Sequence, residues 1–140
     1  MSQNIFDNDI FFDQYLKLRQ GKNYNDLLEQ PAMSKLLPDV KGLAVLDIGC
    51  GYGKNCISFA KSGARRVVGI DLSEKMLGIA KQKSSHPVIK YLRMDMKDIS
   101  AIQGKFDLVY SSLTFHYCED LKKLAADVYN LLNIGGRLLF

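Results

Sequence analysis

The 140-residue sequence has no apolar run near the roughly 20 residues that a membrane helix needs, so no membrane partner is expected. Its first residues, MSQNIFDNDIFF, carry no positive charge ahead of the apolar ones, which argues against a secretory signal. Basic residues never gather into a block. The pairs Arg65–Arg66 and Lys122–Lys123 stand apart and the net charge is only +4, so there is no nucleic-acid footprint. Cysteine is scarce: Cys50, Cys56 and Cys118 form an odd set of three without a close paired spacing. That excludes a disulfide frame and points to reduced thiols in a cytoplasmic protein. His116 and Cys118 are too small a cluster to complete a metal site, and no metal is expected. Neither an internal repeat nor a low-complexity segment occurs. What remains is 47% hydrophobic and 24% charged, the composition of an ordinary soluble globule, in a length suited to one core.

Two regions follow from the pattern. Residues 1–40 read as a helical lead-in. DIFFDQYLKLRQ sets Ile10, Phe11, Tyr15, Leu16 and Leu18 near helical spacing, and Pro31 and Pro38 bracket a further short helix. Residues 41–140 read differently. LAVLDI, RVVGID, VIKYLRMD, FDLVYSS and GGRLLF are short apolar strands. Between them lie helical patterns: YGKNCISFAKSG, closed by Gly63; SEKMLGIAKQK, with Ser73 as N-cap and Met76, Leu77 and Ala80 on one face; and DLKKLAADVYNLLN, with Leu121, Leu124, Ala125, Val128, Leu131 and Leu132 on one stripe. Apolar strands alternating with helices predict a parallel sheet covered on both faces, an open α/β fold. Such sheets bind ligands beyond the carboxyl ends of their strands.

VLDIGCGYGKN sits at such an end. A Walker-type loop needs G-x-x-x-x-G-K-[ST], but Ile48 stands five before Gly53 and Asn55 follows Lys54. The dinucleotide fingerprint G-x-G-x-x-G fits Gly49 and Gly51 and then meets Lys54. D-x-G-x-G-x-G fits throughout: Asp47, Gly49, Gly51, Gly53. A pyrophosphate seeks N–H groups and a helix N-terminus, and an aspartate there repels it. A cofactor with an ammonium group and no phosphate tolerates or favours that carboxylate. Asp71 alone does not separate the two chemistries, because dinucleotide folds also use an acid about 20 residues on.

VLDIGCGYG resembles the first motif of the class I S-adenosylmethionine-dependent methyltransferases. VVGIDLSEKML, YLRMDM, FDLVYSSLTFHY and LLNIGGRLLF resemble the next four segments, in family order, so the likeness runs from about Leu43 to Phe140. The resemblance implies a Rossmann-like doubly wound sheet of order 3-2-1-4-5. It implies S-adenosylmethionine as cofactor, S-adenosylhomocysteine as product, and transfer of a methyl group to a small-molecule acceptor. It assigns Asp71 to the ribose hydroxyls, Asp95 to the adenine amino group and Met96 to the ring. Asp47, Gly49, Cys50, Gly51, Leu72, Met76 and Ser111 complete the cofactor contacts it suggests. Other readings stand beside these: Asp95 also suits a helix N-cap, Cys50 and Cys56 suit small packing groups, and Met76 suits the core.

The segment after the fourth strand faces the methyl group by fold position, which makes His116 the candidate base or orienting residue. Its alternative is a histidine anchoring the loop to backbone. Arg19, Tyr15 and Tyr24 of the lead-in are candidates for the cofactor's amino-acid end, Arg19 through a bidentate pair with its carboxylate. The family's sheet has seven strands, whereas this sequence stops at Phe140 in the fifth. An open apolar edge, RLLF, is therefore expected, with self-association through it. A cofactor-binding segment without turnover is the alternative function. A nicotinamide-dependent oxidoreductase is a third, disfavoured by Lys54.

Overall fold

In a computed structural model of the chain, residues 37–111 and 120–139 are described. Five strands form one parallel sheet: β1 (Ala44–Ile48), β2 (Arg66–Asp71), β3 (Ile89–Arg93), β4 (Phe106–Tyr110) and β5 (Leu132–Leu139). Their order is β3-β2-β1-β4-β5, the doubly wound α/β arrangement expected. Three helices connect them, α1 (Lys54–Lys61), α2 (Glu74–Lys83) and α3 (Leu121–Leu131), together with a 3-10 segment, Met96–Ala101. Among the described residues no helix is long and apolar enough to cross a membrane.

The sheet separates two apolar layers. Because side chains alternate along a strand, Ala44, Leu46 and Ile48 of β1 point one way, with Val68 and Ile70 of β2. They meet Leu124, Val128 and Leu131 of α3 and Ile99 of the 3-10 segment. Val45 points the other way, with Val67, Leu108 and Tyr110, to meet Cys56 and Phe59 of α1 and Leu77 of α2. The Phe59 ring stands edge-on to Tyr110, with centroids 5.3 Å apart. Each large aliphatic side chain so buried contributes about 1.5–3 kcal/mol. Val40, at the end of the lead-in, is buried in this second layer, and Leu37 packs against it.

Local chemistry sets where the helices begin. Ser73 Oγ accepts from Met76 N–H (3.3 Å) at α2, and Asp120 Oδ1 accepts from Lys123 N–H (3.0 Å) at α3. The start of α1 is different. Its N-cap is Gly53 with no side-chain cap, because the helix grows directly out of the glycine loop.

Two expectations change at the far side of the sheet. In α3 only Leu124, Val128 and Leu131 are buried, while Ala125 is exposed and Leu121 is 58% exposed. Residues at i, i+4 and i+7 suffice to cover the sheet there, so the apolar stripe is narrower than the sequence suggests. The fifth strand also starts earlier than GGRLLF. Leu132 pairs with Phe106 as soon as α3 ends, then Arg137 stands opposite Leu108. The residues between swell out as a bulge with Gly135 at φ +80° and Ile134 fully exposed. Beyond it Leu138 and Leu139 pack, half-buried, on opposite layers.

The amino end of the sheet is tied by one carboxylate. Asp107 accepts from Ala44 N–H (2.9 Å) and from Asn133 Nδ2 (2.9 Å), and Arg65 lies 3.5 Å away. These three groups hold its carboxyl below the usual range, the Ala44 amide contributing most.

Candidate active site: the carboxyl ends of β1, β2 and β4

The glycine loop leaves β1 and is fastened to β2. Gly49, Gly51 and Gly53 have φ values of +74°, +57° and +88°, a region that side chains with a Cβ rarely enter. Gly49 N–H and Cys50 N–H both donate to Ile70 O, each at 2.8 Å. Asp71, the last residue of β2, then takes over. Its Oδ2 accepts from Gly51 N–H (2.8 Å) and its Oδ1 from Ser73 N–H (2.9 Å). One carboxylate therefore latches the loop to the turn that opens α2. The Gly51 amide, which a phosphate grip would require, already faces a negative group, in line with a phosphate-free ligand. Among the described residues a Cβ added at Gly51 would meet nothing within 4 Å.

Gly53 is required for another reason. A Cβ there would collide with Tyr91 Oη and lie 2.8 Å from Ser84 Cβ. Tyr91 reaches over from β3 and donates to Ser84 O (2.6 Å), and Ser84 Oγ donates to Tyr52 O (3.0 Å). Burial, followed by the nearby Cys56, Cys50 and Asp47, pushes the Tyr91 phenol up, so it stays a neutral donor. Lys54, next in the chain, is exposed as α1 begins.

Asp47 lies beneath the loop. It is 1% exposed, within β1 between Gly69 and Tyr110, and accepts a weak bond from Cys56 Sγ (3.5 Å). Burial raises its pKa to about 7; the Cys56 thiol lowers it somewhat and the Asp71 charge raises it again. Both thiols here are free and buried. Cys56 is driven well above its normal range by its interaction with Cys50, by burial and by Asp47. Cys50 is lowered by Cys56, but burial and the two aspartates outweigh this and raise it. High pKa values mark these cysteines as packing groups rather than nucleophiles. Room for them comes from Gly69 in β2, where an added Cβ would lie 2.8 Å from Cys56 Sγ and 3.0 Å from Cys50 Sγ.

The other expected residues fall around this centre. Asp95 is buried and caps the 3-10 segment, accepting from Lys97 N–H (3.1 Å). Met96 and Met76 are buried in the core. Leu72 is partly exposed beside Asp71, and its carbonyl accepts from Arg93 Nε (3.1 Å), while Arg93 also pairs with Glu74. Ser111, following β4, is fully buried. Its N–H donates to Leu139 O (3.0 Å), and its Oγ has no partner among the described residues. His116, Arg19, Tyr15 and Tyr24 lie outside the described residues. Sequence reasoning missed Gly69 and Tyr91. A glycine inside the apolar run RVVGID was the available signal of a close approach; nothing in the sequence marked Tyr91. No cluster of three potential metal ligands occurs among the described residues.

The methyltransferase domain family matches residues 46–140. The chain belongs to that family. A protein of Haemophilus influenzae is 36% identical over 145 residues, covering 98% of this chain and 57% of its own length. The malonyl-[acyl-carrier protein] O-methyltransferase of Hamiltonella defensa is 36% identical over 73% of this chain and 38% of that protein. The crystal structure of an S-adenosylmethionine-dependent methyltransferase from Mesorhizobium loti superposes with a TM-score of 0.75 at 43% identity, covering 79% of this chain and 51% of the other. This methyltransferase domain thus spans about half the length, or less, of the curated relatives it matches.

Proposed function

We propose that this domain binds S-adenosylmethionine over the Gly49–Gly53 loop and serves methyl transfer to a small-molecule acceptor in the cytoplasm. The observation that carries the reading is the Asp71 latch. An acid at the end of β2 is fixed by two backbone N–H groups, one of them the Gly51 amide that a phosphate grip would need. The Ser111 hydroxyl at the end of β4, without a partner among the described residues, gives a second polar group at the same end of the sheet. The residues present fit a cationic, phosphate-free nucleoside. When bound, the cofactor supplies a methyl group already activated on a sulfonium.

The chain's own part is positioning. Asp71 holds the ribose hydroxyls, and Asp95 and Met96 bound the adenine. Gly49, Cys50 and Gly51 bring backbone close to the amino-acid end, Leu72 and Met76 shape the wall behind the ribose, and Ser111 orients that end from β4. Arg19 and Tyr24 cover the cofactor, and His116 faces the acceptor as base or orienting group. Excluding water while holding the acceptor in line is the larger part of such catalysis. The weak basic character, and the likeness to a trans-aconitate 2-methyltransferase of Deinococcus radiodurans at 30% identity over 85% of this chain, support a small acceptor. The free thiols support a reducing compartment. A second reading, cofactor binding without turnover, rests on the domain spanning only about half of its relatives. β5, an edge strand among the described residues, supports self-association by strand pairing. A freely monomeric profile by light scattering at high concentration would remove that part.

Calorimetric titration with S-adenosylmethionine, S-adenosylhomocysteine and a nicotinamide dinucleotide tests the cofactor. The two sulfur compounds are expected to bind. Binding of the dinucleotide alone would sink the reading.

A further inference from the structure

Asp47 is the most deeply buried of the described acids, and its setting is unusual. From α1 it is faced by Cys56, from the loop by Cys50, from β2 by Asp71, and from β3 by Tyr91. Tyr110, its register partner in β4, has its ring edge-on to Phe59. Lys54 opens α1 at the exposed surface. Among the described residues, every titratable group around the carboxyl is thus an acid, neutral or negative, and its hydrogen-bond donor is a weak thiol. Among the described residues this carboxyl meets neither a cation nor a set of N–H donors that would stabilise its charge. Asp71, by contrast, has two amides. Yet Asp47 lies two residues before the loop's first glycine and feels the charge of Asp71 at the loop rim. It is close enough to respond to charge arriving above the loop and too deep for water to screen that charge.

We propose that Asp47 is a charge-sensing specificity residue, protonated in the ligand-free protein and giving that proton to solvent when a sulfonium-bearing cofactor lies over the loop. The thioether product carries one positive charge less, and Asp47 keeps more of its proton beneath it. The site then discriminates cofactor from product by charge as well as by shape, and does so more strongly as pH rises. The raised pKa of Asp47, about 7, puts the exchange within the neutral range. This inference rests on the S-adenosylmethionine reading above.

The test is calorimetric titration of the full chain at pH 7 in two buffers of different ionisation enthalpy. S-adenosylmethionine and S-adenosylhomocysteine share the α-amino group that itself titrates near this range, so the difference between them isolates the sulfonium. S-adenosylmethionine is expected to release more protons, the excess approaching about half a proton per site. The ratio of the two affinities is expected to rise about fivefold between pH 6 and pH 8 in the native chain and to stay flat in Asp47→Asn. If Asp47→Asn fails to fold, the native-chain difference still decides. Equal proton numbers for the two ligands, or an affinity ratio independent of pH in the native chain, overturns the inference and leaves the cofactor reading intact. Binding of neither sulfur compound overturns both.

Discussion

Two aspartates sit at opposite ends of the same central strands and are treated in opposite ways. Asp107, at the amino end, is met by a backbone amide, a side-chain amide and a guanidinium, and its carboxyl is held low. Asp47, at the carboxyl end, is met by a thiol and other acids, and its carboxyl is held high. The first arrangement joins β1, β4 and β5 and asks nothing of a ligand. The second leaves a buried carboxyl with only a weak thiol donor among the described residues, beneath the glycine loop. A sheet that is tied at one end and electrostatically unfinished at the other has its stability and its binding chemistry in different places.

The largest effect is expected on the loop that separates Asp47 from solvent. Gly53→Ala puts a Cβ into Tyr91 and Ser84 at φ +88° and is expected to cost about 3 kcal/mol in urea unfolding. A cost below about 1 kcal/mol would mean that Tyr91 moves aside freely.

The next effect sets the two acids against each other through pH. A carboxyl whose folded pKa lies above its unfolded value binds its proton more tightly when folded, so Asp47 lowers stability as pH rises from about 4 to about 7. Between pH 5 and pH 8 that loss is expected to be about 2–3 kcal/mol, and to be absent in Asp47→Asn. The depressed Asp107 works the other way: its contribution is present above the ordinary carboxylate pKa and is lost as pH falls through its folded value. Unfolding midpoints across this range, in native chain and variant, check both signs.

Asp71→Ala is expected to weaken S-adenosylmethionine by about 1–3 kcal/mol, through the lost ribose bonds and the released loop. Unchanged affinity in calorimetry would take Asp71 out of the site. Asp107→Ala is expected to cost about 1–2 kcal/mol of stability, since the Ala44 amide loses its partner, while cofactor affinity stays within twofold. A large affinity change would show that the two ends are not separate. Leu121→Ser is expected to change stability by less than about 0.5 kcal/mol, because that side chain faces solvent.

The strand order, the Ser73 cap and the placing of Asp71 at a strand end were legible in the sequence because each depends on a local pattern or on segments in family order. The glycines were legible as a loop but not in their separate duties. A Cβ at Gly51 meets no described residue while Gly53 makes way for Tyr91, and the difference depends on a residue 38 positions along the chain. The sequence reads Asp47 as a carboxylate that a cationic cofactor tolerates or favours; its depth beneath the loop is not legible there, because position within a central strand outweighs polarity in deciding burial. The α3 stripe was drawn too wide for a similar reason. Periodicity tells which residues share a side of a helix, but the width of the sheet beneath decides how many are covered.

The gap at Gly69 makes positions 50, 56 and 69 conditional on one another. Two sulfurs occupy the space that any side chain at 69 would claim. Enlarging 69 is tolerable only once one thiol has been trimmed, and trimming both leaves a void under the loop. The effects of Gly69→Ala and Cys56→Ala should therefore fail to add, the double variant being more stable than the sum of the two losses allows. Three small residues behave as a single packing unit, and the floor of the loop is a shared volume.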